Sequence, residues 1–181
     1  LVKYVSESKK NYPTLSLTGR SAGTDMSGGS INDSILVNFQ KYFNHMKPIN
    51  NNIATTQPGV FYKDFEKETL RHGLIFPSYP ASKEICAMGG IVNNNSGGEK
   101  SLEYGKTEKY VKNLKVVLSD GNEYSIKPQT EKELQEKLKL KSFEGEIYRN
   151  IYKLIVNNYQ TLKKAKPDVS KNSAGYYLWD V

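Results

Sequence analysis

The residues whose types and spacing could do chemistry lie in two glycine-rich stretches. The first, Thr18-Gly19-Arg20-Ser21-Ala22-Gly23-Thr24-Asp25-Met26-Ser27-Gly28-Gly29-Ser30, has the make-up of an anion cradle. Small residues let consecutive backbone N–H groups turn inwards and approach phosphate oxygens. Ser21 and Thr24 would add hydroxyl donors, and Arg20 a charge. It is not a Walker A loop, because no Gly-Lys-Ser/Thr follows, and the G-x-G-x-x-G spacing of a dinucleotide fold is absent. By itself the stretch reads equally well as an ordinary surface turn. The second runs from Pro77-Ser78-Tyr79-Pro80-Ala81-Ser82 to Met88-Gly89-Gly90-Ile91-Val92-Asn93-Asn94-Asn95-Ser96-Gly97-Gly98. Two prolines, two glycine pairs and three successive asparagines are more than a spacer needs. Glycine pairs permit close approach by a flat ligand or by another backbone, and Asn amides both donate and accept.

Other reactive side chains are few. Cys86 is the single cysteine, which excludes an internal disulfide and a cysteine-rich zinc site. It reads as a small buried apolar residue. The two histidines, His45 and His72, have no visible partner; His72 suits a helix end. Arg71 reads as a surface residue, and Tyr148, Tyr152 and Tyr159, at helical spacing, as packing residues.

The elements that must position these stretches can be read from periodicity. Residues 1–12 resemble the end of a helix, and Thr14–Leu17 alternates like a strand leading into the first glycine-rich stretch. Ser34–Phe39 and Asn52–Gln57 read as strands, and Phe61–Arg71 as an amphipathic helix ended by Gly73. Residues 74–105 show little regular pattern. Val111–Leu118 and Glu123–Ile126 form a hairpin around Asp120-Gly121, a pair suited to a tight primed turn. Thr130 and Glu133 make a capping box for a helix to about Leu140. Phe143–Lys164 reads as one further helix, stopped by Pro167.

The chain has 181 residues, 26 basic and 19 acidic, for a net charge of +7. The basic side chains are 23 lysines and three arginines, and the lysines are spread over the second half rather than clustered, so a solvated surface explains them better than nucleic-acid recognition. Mean hydropathy is −0.63, and no stretch approaches the ~20 apolar residues of a membrane span. The opening residues lack a signal-peptide pattern. The missing initiator Met and the apolar end Tyr176-Tyr177-Leu178-Trp179 suggest a piece cut from a longer chain.

Six segments in order carry a family resemblance. They are Gly19-Arg20-Ser21-Ala22-Gly23-Thr24, Gln57-Pro58-Gly59-Val60, Gly73-Leu74-Ile75-Phe76-Pro77, Gly89-Gly90 with Asn94 and Gly97-Gly98, Tyr104-Gly105, and Leu114 to Gly121. A fainter echo is Ala174-Gly175-Tyr176-x-Leu178. Together they resemble the FAD-binding domain of the vanillyl-alcohol oxidase/p-cresol methylhydroxylase superfamily. The nearest branch is the FAD-linked oxidases and dehydrogenases of 2-hydroxy acids, which includes the glycolate oxidase FAD subunit and D-lactate dehydrogenase.

The resemblance implies an α+β, two-lobed FAD-binding domain: a small, mainly parallel α/β lobe at residues 1–60, and an antiparallel sheet lobe with helices at residues 61–181, truncated at its C-terminus. FAD would lie between them. Gly19, Arg20, Ser21, Ala22, Gly23, Thr24 and Asp25 would hold its pyrophosphate. Pro80, Ala81, Ser82, Cys86, Gly89 and Gly90 would line the path to the flavin, and Asn94, Asn95, Ser96 and Gly97 would add contacts. Some branches attach FAD through a His just after the glycine-rich loop. None stands between Gly19 and Ser30, so non-covalent binding is expected. A further family segment, Gly-Ser-Glu-Gly-Thr-Leu-Gly, and the substrate-binding cap domain are absent. The expected intact enzyme acts on a small-molecule substrate such as lactate or glycolate, is cytoplasmic or peripheral to the inner membrane, and needs no nucleic acid. Alternatives are an alditol oxidase, a peptidoglycan-precursor reductase, or a non-catalytic basic binding module.

Overall fold

The computed structural model describes residues 1–169, 172 and 176–180. The chain forms two compact units, Leu1–Val111 and Lys112–Val181. Residue 60, the expected lobe boundary, lies inside the first unit, where Val60 belongs to the core.

In the first unit, helix α1 (Val2–Ser8) precedes strand β1 (Leu17–Arg20). Strand β2 (Ile35–Asn38) pairs with it in parallel, Leu17 opposite Ile35 and Arg20 opposite Asn38. The strand expected at Thr14–Leu17 thus begins only at its last residue and runs on into the glycine-rich stretch. Asn32 braces the entry, its Nδ2 donating to Ser16 Oγ and Thr18 Oγ1 at 3.0 and 2.9 Å. The strand expected at Asn52–Gln57 is instead a tight turn with isolated bridges. Asn51 and Asn52 both have positive φ, and Asn50 and Ile53 exchange both backbone hydrogen bonds across them. That is the primed geometry, which Asn tolerates because its short polar side chain eases the left-handed region.

Helix α2 (Tyr62–Arg71) buries Tyr62, Phe65 and Thr69. Tyr62 and Phe65 pack with Val60, Tyr79, Cys86, Met88 and Ile91 to form the core. Residues 74–105, expected to be irregular, contain helix α3 (Met88–Asn93) and helix α4 (Ser101–Tyr104). Two glycines hid α3 from a propensity reading, since each costs about 1 kcal/mol in a helix; burial of Met88 and Ile91 overrides it.

The second unit begins with the hairpin of β3 (Leu114–Val117) and β4 (Glu123–Ile126). Its turn is not the primed type. Only Gly121 has positive φ, and its N–H donates to Leu118 O while Leu118 N–H donates to Asn122 O. This is a three-residue loop with a left-handed glycine. Helix α5 (Glu131–Lys139) starts at the expected capping box of Thr130 and Glu133. The Lys127 ammonium and the Thr130 donors hold the Glu133 carboxyl down at about 2. The long helix expected to follow is two, α6 (Phe143–Asn157) and α7 (Tyr159–Ala165). The break is at Asn158, whose Nδ2 donates to Leu154 O and competes with the helix ladder. Tyr152 and Tyr159, expected to pack, are 40% and 56% exposed. Ala174 and Gly175, in the faint C-terminal echo, lie outside the described residues. No helix among the described residues is long and apolar enough to cross a membrane.

Candidate functional site

The first glycine-rich stretch leaves the end of β1 and is held at its root by Phe39. Phe39 N–H donates to Arg20 O at 3.0 Å, and its ring lies 3.1 Å from where a Gly19 Cβ would stand. From Ser21 to Asp25 the backbone N–H groups leave the strand ladder. Among the described residues nothing accepts from the N–H groups of Ser21, Ala22, Gly23, Thr24 or Asp25. Ser21 to Thr24 are half-buried. Buried N–H groups nearly always find an acceptor, so the four successive donors of the half-buried Ser21 to Thr24 make this stretch a candidate for an acceptor from outside. Gly23 sits at φ 69°, and a Cβ there would stand 2.5 Å from the Arg20 guanidinium carbon. The cradle therefore needs glycine at this point, and the Arg20 cation lies over it with no ion pair to a described residue. The Thr24 hydroxyl likewise has no partner among the described residues.

Asp25 behaves differently. Its carboxylate accepts from Ser27 N–H, Ser27 Oγ and Gly29 N–H at 3.1, 2.6 and 2.9 Å, and these bonds lower its pKa. Its side chain braces the far end of the loop and contributes no donor to an anion.

The second stretch meets the first through Pro58. Gly89 N–H donates to Pro58 O at 2.9 Å, and Ser21 Oγ donates to the same oxygen at 2.6 Å. A Cβ on Gly89 would stand 2.5 Å from Pro58 Cβ. Gly90 is exposed, and a Cβ there would lie 3.8 Å from Ser21 Cβ, so the glycine pair opens directly beside the cradle. Pro80, Ala81 and Ser82 form a turn closed by Lys83 N–H to Pro80 O, half-buried to exposed. It follows Tyr79, whose hydroxyl donates to Glu99 at 2.8 Å and whose ring carries the Lys83 ammonium 5.0 Å from its centroid.

The remaining expected contacts fall elsewhere. Cys86 is 3% exposed inside the core, and burial pushes its thiol pKa up. Asn95 Oδ1 accepts from Glu108 N–H, and Ser96 O accepts from both Thr107 N–H and Thr107 Oγ1. Ser96 is 6% exposed, Asn94 Nδ2 bonds to its hydroxyl, and a Cβ on Gly97 would crowd Ser101. These residues tie α3 to the 3-10 turn Thr107–Tyr110. Gly98 passes so close to the Tyr79 carbonyl that any Cβ there would overlap it. Residues without an assigned role in the sequence reading, Phe39 and the Pro58 carbonyl, turn out to organise the cradle. The Gln57-Pro58-Gly59 motif was the available signal for the second. No group of metal-ligating side chains is present among the described residues.

Comparison with known proteins shows the family of the chain. The model of an FAD binding domain matches residues 2–127. Glycolate oxidase subunit GlcD of Bacillus subtilis is 40% identical over 106 residues, 57% of this chain and 23% of that protein. D-lactate dehydrogenase of Archaeoglobus fulgidus is 35% identical over 104 residues, 56% of this chain and 23% of that protein. The fold is shared with 6-hydroxy-D-nicotine oxidase from Arthrobacter nicotinovorans, with a TM-score of 0.57 at 21% identity over 70% of this chain and 28% of that one. The chain belongs to the family of FAD-binding domains. It is an α+β member, related to FAD-linked oxidases and dehydrogenases, and spans about a quarter of the length of the two relatives named first.

The residues fit the cofactor class. A pyrophosphate needs several N–H donors and a nearby cation, and Ser21 to Thr24, without acceptors among the described residues, and the Arg20 guanidinium against Gly23 would supply groups of both kinds.

Proposed function

We propose that Gly19–Thr24 grips the pyrophosphate of FAD non-covalently, in a flavoprotein that oxidises a small 2-hydroxy acid. The observation that carries the first half is the run of unpaired N–H groups from Ser21 onwards under the Arg20 guanidinium. The absence of His between Gly19 and Ser30 supports non-covalent attachment. The substrate class rests on the relatives, whose names share a 2-hydroxy acid, glycolate or D-lactate. FAD when bound supplies the electron acceptor for such an oxidation. This chain's residues bind and orient it: backbone donors hold the phosphates, Arg20 balances their charge, and Gly89-Gly90 with Pro80–Ser82 leave an open approach towards the flavin. Cys86, Asn95 and Ser96 act as scaffold. Substrate binding in a cap domain and a cytoplasmic or membrane-peripheral setting belong to the same reading.

The test is thermal unfolding of the chain with added ligands. ADP and FAD, which share a pyrophosphate, should both raise the melting temperature in a saturable way, and riboflavin should raise it far less. A chain stabilised by riboflavin as much as by FAD, or indifferent to ADP, would remove the phosphate cradle from the account. Acid precipitation of the FAD-loaded protein should leave the yellow colour in the supernatant; colour retained by the pellet would overturn non-covalent attachment.

A further inference from the structure

Ser21 looks at first like one more donor to the phosphates, but its geometry points elsewhere. A hydroxyl has one proton. Ser21 Oγ gives that proton to Pro58 O at 2.6 Å, a short bond between residues 37 positions apart. The same carbonyl takes Gly89 N–H at 2.9 Å, so both of its lone pairs are engaged. Among the described residues this is the one side-chain hydrogen bond made by residues 21–24, and it reaches the second glycine-rich stretch through the Pro58 carbonyl, which also accepts from Gly89 N–H. The other partner of the link is packed closely, Gly89 lying against Pro58 with no room for a Cβ.

We infer that Ser21 is a positioning residue: its hydroxyl bonds to Pro58 rather than to the cofactor, and so sets the distance between the pyrophosphate donors and the Gly89-Gly90 opening. This rests on the reading of Gly19–Thr24 as the FAD cradle. The N–H groups of Ser21 to Thr24 have no acceptor among the described residues, so no backbone bond of theirs fixes their direction. Among the described residues, the other hydrogen bonds around the loop are the one from Phe39 N–H to Arg20 O at its root and the local bonds of Asp25 to Ser27 and Gly29 within it. Donors that must be ordered at the moment of binding cost affinity, so the link acts on the cofactor through preorganisation.

The role separates from both alternatives by what happens without ligand. Ser21→Ala should lower the melting temperature of the ligand-free chain by about 3 °C, as expected for one lost hydrogen bond in a chain of this size. It should also speed hydrogen exchange at the Gly89 amide several-fold. It should weaken FAD and ADP roughly tenfold, read as a smaller ligand-induced shift in melting temperature and a faster release of FAD fluorescence. Ser21→Thr keeps the hydroxyl and should restore all of these. A Ser21→Ala chain that is unchanged without ligand but weak with it would mean that the hydroxyl serves the phosphate, and would overturn the inference. So would a ligand-free loss of stability with an unaltered response to ADP, which is a purely structural role. A wild-type chain that ignores both ADP and FAD would overturn the cradle itself and the positioning role with it. A responsive wild-type with an unaltered Ser21→Ala would overturn the role of Ser21 alone.

Discussion

Residues 19–25 and residues 94–107 are both rich in glycine and small polar side chains, yet they do opposite things with their hydrogen-bonding groups. In the first, five successive backbone N–H groups have no partner among the described residues. In the second, the donors turn inwards: Thr107 bonds twice to Ser96 O, Asn95 accepts from Glu108 N–H, and Gly98 N–H donates to Ser101 Oγ. The glycines differ in the same sense. Gly23 provides a left-handed turn in an open loop, whereas Gly98 lets two backbones touch. Glycine-rich sequence therefore marks close approach, and only the bonding of the surrounding N–H groups says whether a ligand or the protein itself is approached.

The contrast can be broken most forcefully at Gly98. Gly98→Ala should destabilise the chain by about 3 kcal/mol, because the new Cβ overlaps the Tyr79 carbonyl in a packed region. Thermal unfolding should show a drop of roughly 10 °C. A drop within 2 °C would mean that the second stretch is looser than described. The mirror experiment is Arg20→Gln. It should leave the melting temperature of the ligand-free chain near that of wild type, since Arg20 has no ion pair among the described residues. It should weaken ADP binding by ~30-fold, about 2 kcal/mol for a charge-assisted contact. Titration calorimetry that finds equal affinity would remove Arg20 from the cradle.

A smaller effect is expected from Asn95→Ala, which removes the acceptor for Glu108 N–H. It should cost about 1 kcal/mol of stability and leave the ADP-induced shift in melting temperature intact. A selective loss of ADP response would return Asn95 to the ligand site. The smallest effect concerns Asp25. Its hydrogen bonds hold its pKa below the ordinary carboxylate value, so they stabilise the loop above the unfolded pKa of about 3.9 and fade as pH falls through the lower folded value. A carboxyl-carbon NMR titration should give a midpoint below 3.9, with the Gly29 amide following the same curve. A midpoint at or above that value would show that the brace is not formed in solution.

Much of the site was legible in the chain because it is local. The first loop needs Gly23 for its left-handed turn and small neighbours to expose their N–H groups, and both requirements are visible in Gly19–Thr24. The capping box at Thr130 and Glu133 was legible for the same reason, since both partners lie within one helical turn. Helix α3 was not, because its glycines oppose helix formation and only the burial of Met88 and Ile91 in the core decides the matter. The hairpin turn at Asp120-Gly121 was readable as a turn but not in type. Asp120 stays at negative φ, and the bond from Leu118 N–H to Asn122 O selects the longer loop.

The sequence by itself determined the cofactor family, the left-handed glycine turn of the first loop and the order of most elements, because these follow from short-range sterics and small-residue patterns. Tertiary structure decided the rest. Cys86 packs in the core, as its residue type led one to expect, whereas the resemblance had put it along a flavin path. The asparagines and serine of the second stretch spend their bonds on the protein. Ser21 gives its proton to a carbonyl 37 residues away. The type of a hydroxyl or amide states what it can donate or accept, but the partner is chosen by what the folded chain brings within hydrogen-bonding distance.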